Sequence, residues 1–124
     1  MIEITYRGPI FQAGAAQIIE RWCDDLADAY ARRGFSEVHM LMDANFKHPT
    51  PYYETQVTID TDAPNQRVIH DRGIVYGPWL EGVGSRNATT RFKGYHMWRR
   101  TAQALVEDRS IVDRMTSELV QRLN

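Results

Sequence analysis

The sequence predicts an α+β domain: a small antiparallel sheet of three to four strands, packed with a long N-terminal helix and one or two C-terminal helices. Three observations carry that expectation. Apolar residues between positions 11 and 30 recur in steps of three and four. Between positions 53 and 60 they alternate with polar ones. Beyond position 95 the helical spacing returns.

The elements follow in order. Residues 2–6 (IEITY) alternate weakly and suggest a short strand. From Phe11 to Tyr30 the apolar residues Phe11, Ala15, Ile18, Ile19, Trp22, Leu26 and Tyr30 share one helical face. Glu20, Arg21, Asp24, Asp25 and Asp28 take the other. Gly34 reads as the stop, with Arg32 and Arg33 near the negative end of the helix dipole. The run Val38-His39-Met40-Leu41-Met42 fits either a buried strand or a further helical turn. His48-Pro49-Thr50-Pro51 must be extended or turned, because each proline disfavours helix in the residue before it. Tyr53, Thr55, Val57 and Ile59 alternate with Glu54, Gln56, Thr58 and Asp60, the pattern of a half-buried strand. Residues 61–65 (TDAPN) are turn chemistry, and 66–71 and 73–80 supply two more strands, the last ending near Pro78. Residues 82–94 have no apolar period and read as an extended basic loop or arm. Tyr95, Trp98, Ala102 and Leu105 then mark a helix, and Ser110 with Asp113 resembles a capping box opening a last helix on Ile111 or Val112, Met115, Leu119 and Leu123.

At 124 residues the chain fits a single domain, 1–124, with 43% hydrophobic and 25% charged residues. A net charge of −1 gives no bulk attraction to nucleic acid or to a membrane surface. No apolar run reaches the roughly 18 residues of a membrane span, and residues 1–11 lack the pattern of a secretory signal. One cysteine, Cys23, excludes an internal disulfide.

The chemistry-bearing candidates are weak one by one. Gly82 and Gly84 evoke a phosphate loop, but the position of the third glycine is Asn87 and no Gly-Lys-Ser/Thr triplet exists. Asn87-Ala88-Thr89 matches a glycosylation sequon by chance. His39, His48, His70 and His96 lack the spacing that puts two imidazoles on one helix face, so no metal is expected. Cys23 neighbours Asp24 and Asp25, which disfavour a thiolate. Glu81 lacks a partner carboxylate nearby in sequence, so no catalytic residue, cofactor or enzyme activity is expected.

Charge patterning says more. Arg86, Arg91, Lys93, Arg99 and Arg100 lie within fifteen residues free of acids, while residues 17–43 hold six acids against three arginines. The basic segment could grip nucleic-acid backbone, helped by Phe92, Tyr95 and Trp98. It could instead meet the acidic segment of an identical neighbour, a head-to-tail contact that can close into a ring. The bland alternative is two solvated faces of a monomer. A thirteen-residue unpatterned segment is long for so small a domain, and ordering it costs roughly 1–2 kcal/mol per residue of backbone entropy. A second polypeptide would offset that cost.

The order strand, Tyr76-Gly77-Pro78-Trp79-Leu80-Glu81, glycine turn, arm and aromatic-led helix with Ala102 resembles the neck or tail-completion proteins of long-tailed bacteriophages, and His48–Thr55 is similar to an upstream element of that family. Position 51 is Pro where the family usually has glycine, and Gly82 and Gly84 flank the usual glycine position after the glutamate. The resemblance implies a virion structural subunit, made in the host bacterial cytoplasm. It implies a homo-oligomeric, hexameric ring that joins or ends the tail tube, touches neighbouring neck and tail-tube proteins, and lets DNA pass without sequence-specific contact. It places Tyr76, Trp79 and Glu81 at the root of the arm, Arg86, Arg91 and Lys93 against an adjacent subunit or the tail tube, and Arg99 and Arg100 on the exposed face of the next helix. The alternative is a small nucleic-acid-binding module using residues 86–100.

Overall fold

A computed structural model describes residues 1–4, 14–46 and 51–124. Thr5, Tyr6, Phe11, His48, Pro49 and Thr50 lie outside the described residues. So do parts of the expected first strand, the helix start and the upstream family-like element.

Helix α1 runs Ala15–Asn45, α2 Pro51–Gln56, α3 Gly77–Glu81, α4 Ser85–Thr89, α5 Met97–Glu107 and α6 Ser110–Leu123; strands β1 (Thr58–Ala63) and β2 (Gln66–His70) form one antiparallel hairpin. The mixed α+β class and the flanking helices stand. The sheet of three to four strands does not: two strands are present among the described residues, and Met1–Ile4 is not in a strand.

Helix α1 is the spine. Its 31 residues span about 46 Å, and α5, β2 and α6 all pack on it. Gly34 does not end it. An interior glycine costs only about 1 kcal/mol against alanine, whereas the buried face continues beyond it through Val38, Leu41 and Met42. Each such side chain stabilises by roughly 1.5–3 kcal/mol. Gly34 is instead where α1 lets its neighbours come close: a Cβ there would lie 2.8 Å from Ile69 Cδ1 and 3.0 Å from Leu105 Cδ1. The run 38–42 is therefore helix, and the core of Val38, Leu41, Met42, Tyr53, Val57 and Met97 gathers on the second half of α1.

Two expected strands are corrected. Residues 51–56 are helical because Tyr53 and Val57 also stand four apart, on one helical face, and both are buried while Thr55 is exposed. A strand would have buried Thr55 with them. Proline is also well suited to a first helical position. Only Thr58–Ala63 is extended, paired to β2 through Ile59↔Ile69, with an irregularity between Asp60 and Ala63. Residues 73–80 are not a strand either. Asp71 Oδ1 accepts from Gly73 N at 3.0 Å, Arg72 and Gly73 take positive φ, and the chain turns into α3 with Pro78 in its first turn. Proline marked a helix start there, not a strand end.

The two C-terminal helices stand where spacing placed them. In α5 the buried positions are Met97 and Thr101, while Ala102 is exposed. The helix begins two residues later than expected, and its inner face is centred on Met97 and Thr101, with Trp98 and Leu105 half-buried beside it. In α6 Met115 is buried and its carbonyl accepts from Trp22 Nε1 at 2.8 Å, so Trp22 anchors α1 to α6. Ser110 does not cap through Asp113. Its backbone N–H and hydroxyl both donate to Asp108 Oδ1, at 2.9 and 2.6 Å, and those bonds hold the Asp108 carboxyl below the usual range.

Candidate functional site

The candidate site is the elbow built by residues 71–100. Its root is α3. Leu80 packs on the core from one side of this short helix, and Trp79 stacks on Phe92 at 4.8 Å from another. Glu81 ends the helix, and Gly82, with φ of 102°, turns the chain away.

Glu81 acts on α5. Its two carboxylate oxygens accept from Trp98 N and Arg99 N, each at 2.9 Å. Those amides belong to the first turn of α5, where backbone donors lack helical partners and negative charge is favoured. Glu81 thus does from a distance what a capping residue does locally, and it locks α3 to α5.

The segment 82–94 closes on its own chain. Tyr95 N donates to Leu80 O at 2.7 Å and His96 N to Glu81 O at 3.2 Å. Gly82 and Gly94 touch so closely that a Cβ on Gly94 would overlap the Gly82 backbone, and both have positive φ. The ends of a thirteen-residue loop are pinned together, the geometry of an Ω-loop. Its middle is filled by Asn87, 3% exposed. Asn87 Oδ1 accepts from Gly84 N at 2.9 Å, and Nδ2 donates to Trp79 O and Phe92 O, both at 3.1 Å. An arm that takes its shape only against a second polypeptide is not what the chain forms. A single buried amide supplies the internal ordering. It also leaves the sequon asparagine with no free side-chain nitrogen.

The interface candidates separate by what they touch. Lys93 Nζ turns inward and donates to Asn87 O at 2.8 Å. Arg86, Arg91, Arg99 and Arg100 are exposed and, among the described residues, have no carboxylate within salt-bridge distance. Tyr76 lies 5.8 Å from Tyr53, ring to ring, with part of its face open. Val75 and Val83 flank the elbow and are exposed. A groove of about 550 Å³ is lined by Val75, Tyr76, Trp79, Arg86 and Thr90.

The aromatics of the basic segment are already engaged. Phe92 meets Tyr95 at 5.0 Å, Tyr95 meets Phe46 at 5.4 Å, and Trp98 Nε1 donates to Tyr53 OH at 3.3 Å. Tyr53 OH in turn donates to Asp71 Oδ2 at 2.9 Å. Burial, with the Asp71 carboxylate beside it, pushes the Tyr53 hydroxyl's ionisation well above the ordinary tyrosine value. These rings hold the elbow to the core.

The acidic segment of α1 is partly neutralised within the chain. Arg67 reaches Asp24 with two N–H groups, at 2.9 and 3.0 Å, and Asp28 at 3.5 Å; Arg32 pairs with Asp28 and Arg33 with Glu37. The hydrogen bond from Arg67 holds Asp24 below the usual carboxylate range, as that from Arg32 does for Asp28. Sequence reasoning missed this because Arg67 is forty-three residues from Asp24. Glu20, Asp25 and Asp43 keep no such partner among the described residues.

Comparison with known proteins finds no matching family model, no curated relative and no similar solved structure. The elbow must be read on its own chemistry. Among the described residues no group of three or more His, Cys, Asp or Glu side chains converges on one point, and no helix is long and apolar enough to cross a membrane.

Proposed function

We propose that the chain is a structural subunit that assembles with copies of itself into a ring, in the role of a bacteriophage neck or tail-completion protein, and that it is not an enzyme. The observation that carries the reading is the division of labour at the elbow. Its backbone, aromatics and Glu81 are spent on holding a fixed shape. Arg86 and Arg91 are exposed on that shape, and Arg86 lines a groove with exposed Val75. Fixed cations beside exposed apolar side chains suit a protein partner, where burial of the apolar groups and charge-assisted bonds act together. The resemblance of residues 76–81 and the following helix to the phage family supplies the ring, its place between head and tail, and the passage of DNA.

Nucleic-acid binding through residues 86–100 is the weaker reading. Phe92, Tyr95 and Trp98 are packed against the chain's own side chains, which removes the stacking platforms that single strands use.

The test is charge reversal at Arg86 and Arg91 together. Neither side chain is tied into the loop, so the double Glu variant keeps the wild-type circular dichroism and melting temperature. Sedimentation velocity and negative-stain microscopy, alone and with tail tubes, then show loss of the high-mass rings. Rings formed as readily by the double variant refute the reading.

A further inference from the structure

The groove on the elbow mixes apolar and cationic lining: Val75, Tyr76 and Trp79 line it together with Arg86 and Thr90. Val75 is 95% exposed. The segment Met1-Ile2-Glu3-Ile4 has no regular structure, and Ile2 and Ile4 are 89% and 71% exposed. In an extended chain successive side chains point to opposite sides. Drawn out as an extended chain, the segment would set Ile2 and Ile4 on one side and Glu3 on the other. Laid along the groove, the isoleucines meet the valine, tyrosine and tryptophan, and the glutamate meets Arg86, which has no carboxylate partner among the described residues.

We propose that the Ile2-Glu3-Ile4 segment of one copy docks in the Val75/Tyr76/Trp79/Arg86 groove of the next, so that each subunit gives one strand and receives one. The inference rests on the self-assembly reading above and specifies how neighbouring subunits are joined. A second copy is the occupant because its segment brings the carboxylate that Arg86 lacks, flanked by apolar side chains for Val75, Tyr76 and Trp79. Giving and receiving at different surfaces is a head-to-tail contact, the kind that closes into a ring or continues as a filament. Loss of Ile2 and Ile4 removes the apolar half of each junction, so Ile2→Ser with Ile4→Ser raises the concentration needed for half-assembly by at least about tenfold.

Cysteine cross-linking tests it directly on the full chain in a Cys23→Ser background, with folding checked by circular dichroism. One chain carries Ile4→Cys and a second, of different mass, carries Val75→Cys. Under mild oxidation the mixture forms the mixed disulfide at least about tenfold faster than Ile4→Cys with the distant control Val120→Cys, because docking raises the local concentration. In a chain with both Ile4→Cys and Val75→Cys, a ladder of multimers is expected. A closed monomer with both thiols consumed shows docking within one chain and overturns the proposal. Rings that persist without the disulfide, or with Ile2→Ser and Ile4→Ser at unchanged assembly, overturn the proposal while leaving self-assembly standing. A chain that stays monomeric at every concentration and beside tail tubes overturns both.

Discussion

Asn87 is the residue on which the elbow depends most, and its removal has a magnitude that follows from three distances. Its side chain makes hydrogen bonds of 2.9, 3.1 and 3.1 Å to Gly84 N, Trp79 O and Phe92 O. Each contributes about 0.5–1.5 kcal/mol net. Asn87→Ala therefore destabilises by about 2–4 kcal/mol, since the backbone groups stay behind and water reaches only some of them. Asn87→Asp is worse at neutral pH, because it turns two donors into lone pairs facing two carbonyls. The opening need not be global: residues 82–94 can loosen while the core on α1 persists. Urea unfolding followed by far-ultraviolet dichroism reports the first possibility, and amide exchange at Gly84 and Tyr95 the second. In either case exchange at those amides rises by about two orders of magnitude, the equivalent of roughly 2.7 kcal/mol. Wild-type exchange at both amides together with an unchanged urea midpoint would refute the idea that one amide orders the loop.

Three further outcomes are expected. Glu81→Ala leaves the first turn of α5 without its acceptor for Trp98 N and Arg99 N and costs about 1–2 kcal/mol in urea unfolding, with Gln retaining part of it; an equal loss for Ala and Gln would mean charge alone matters. Gly34→Val drives a side chain into Ile69 and Leu105 and costs about 1–3 kcal/mol, read as a lower melting temperature, whereas an unchanged value would show that the β2 and α5 contacts at this point give way freely. Asp24 titrates below its ordinary value because Arg67 bonds its charged form. A depressed folded value means stability that is present above the unfolded carboxylate value of about 3.9 and is lost as pH falls through the folded one. The melting temperature of Asp24→Asn therefore lies below wild type at pH 6, and the two converge as the pH falls below the depressed folded value; a gap that persists there would point to lost packing instead of lost charge.

Much of the helical frame was legible in the sequence, and the reasons are local. The steps of three and four from Ala15 onward and the Met115-Leu119-Leu123 face are periodicities that a helix reads directly; the start at Ser110 stands too, but for a different reason, since Ser110 bonds Asp108 and not Asp113. The turn expected at 61–65 is there only in part: Pro64-Asn65 turns, with Asn65 at positive φ, while Thr61–Ala63 belong to β1. Other signals were ambiguous at short range. Tyr53 and Val57 fit a period of two and a step of four equally well, and only the exposure of Thr55 separates them. Pro78 serves a strand end and a helix start equally well, and the Asp71–Gly73 turn decided it.

The sequence by itself determined an α+β chain with a long leading helix, two closing helices and a cationic segment free of acids. All of these follow from spacing and composition along a few turns of chain. The tertiary structure alone decided that the cationic segment is a closed loop, that Glu81 clamps the start of α5, and that Arg67 pairs with Asp24 and Asp28 of α1. Those outcomes rest on contacts between residues from twelve to more than forty positions apart, such as Gly82 with Gly94 and Asp24 with Arg67. No short-range pattern encodes such contacts, because the partners meet only after the helices have packed.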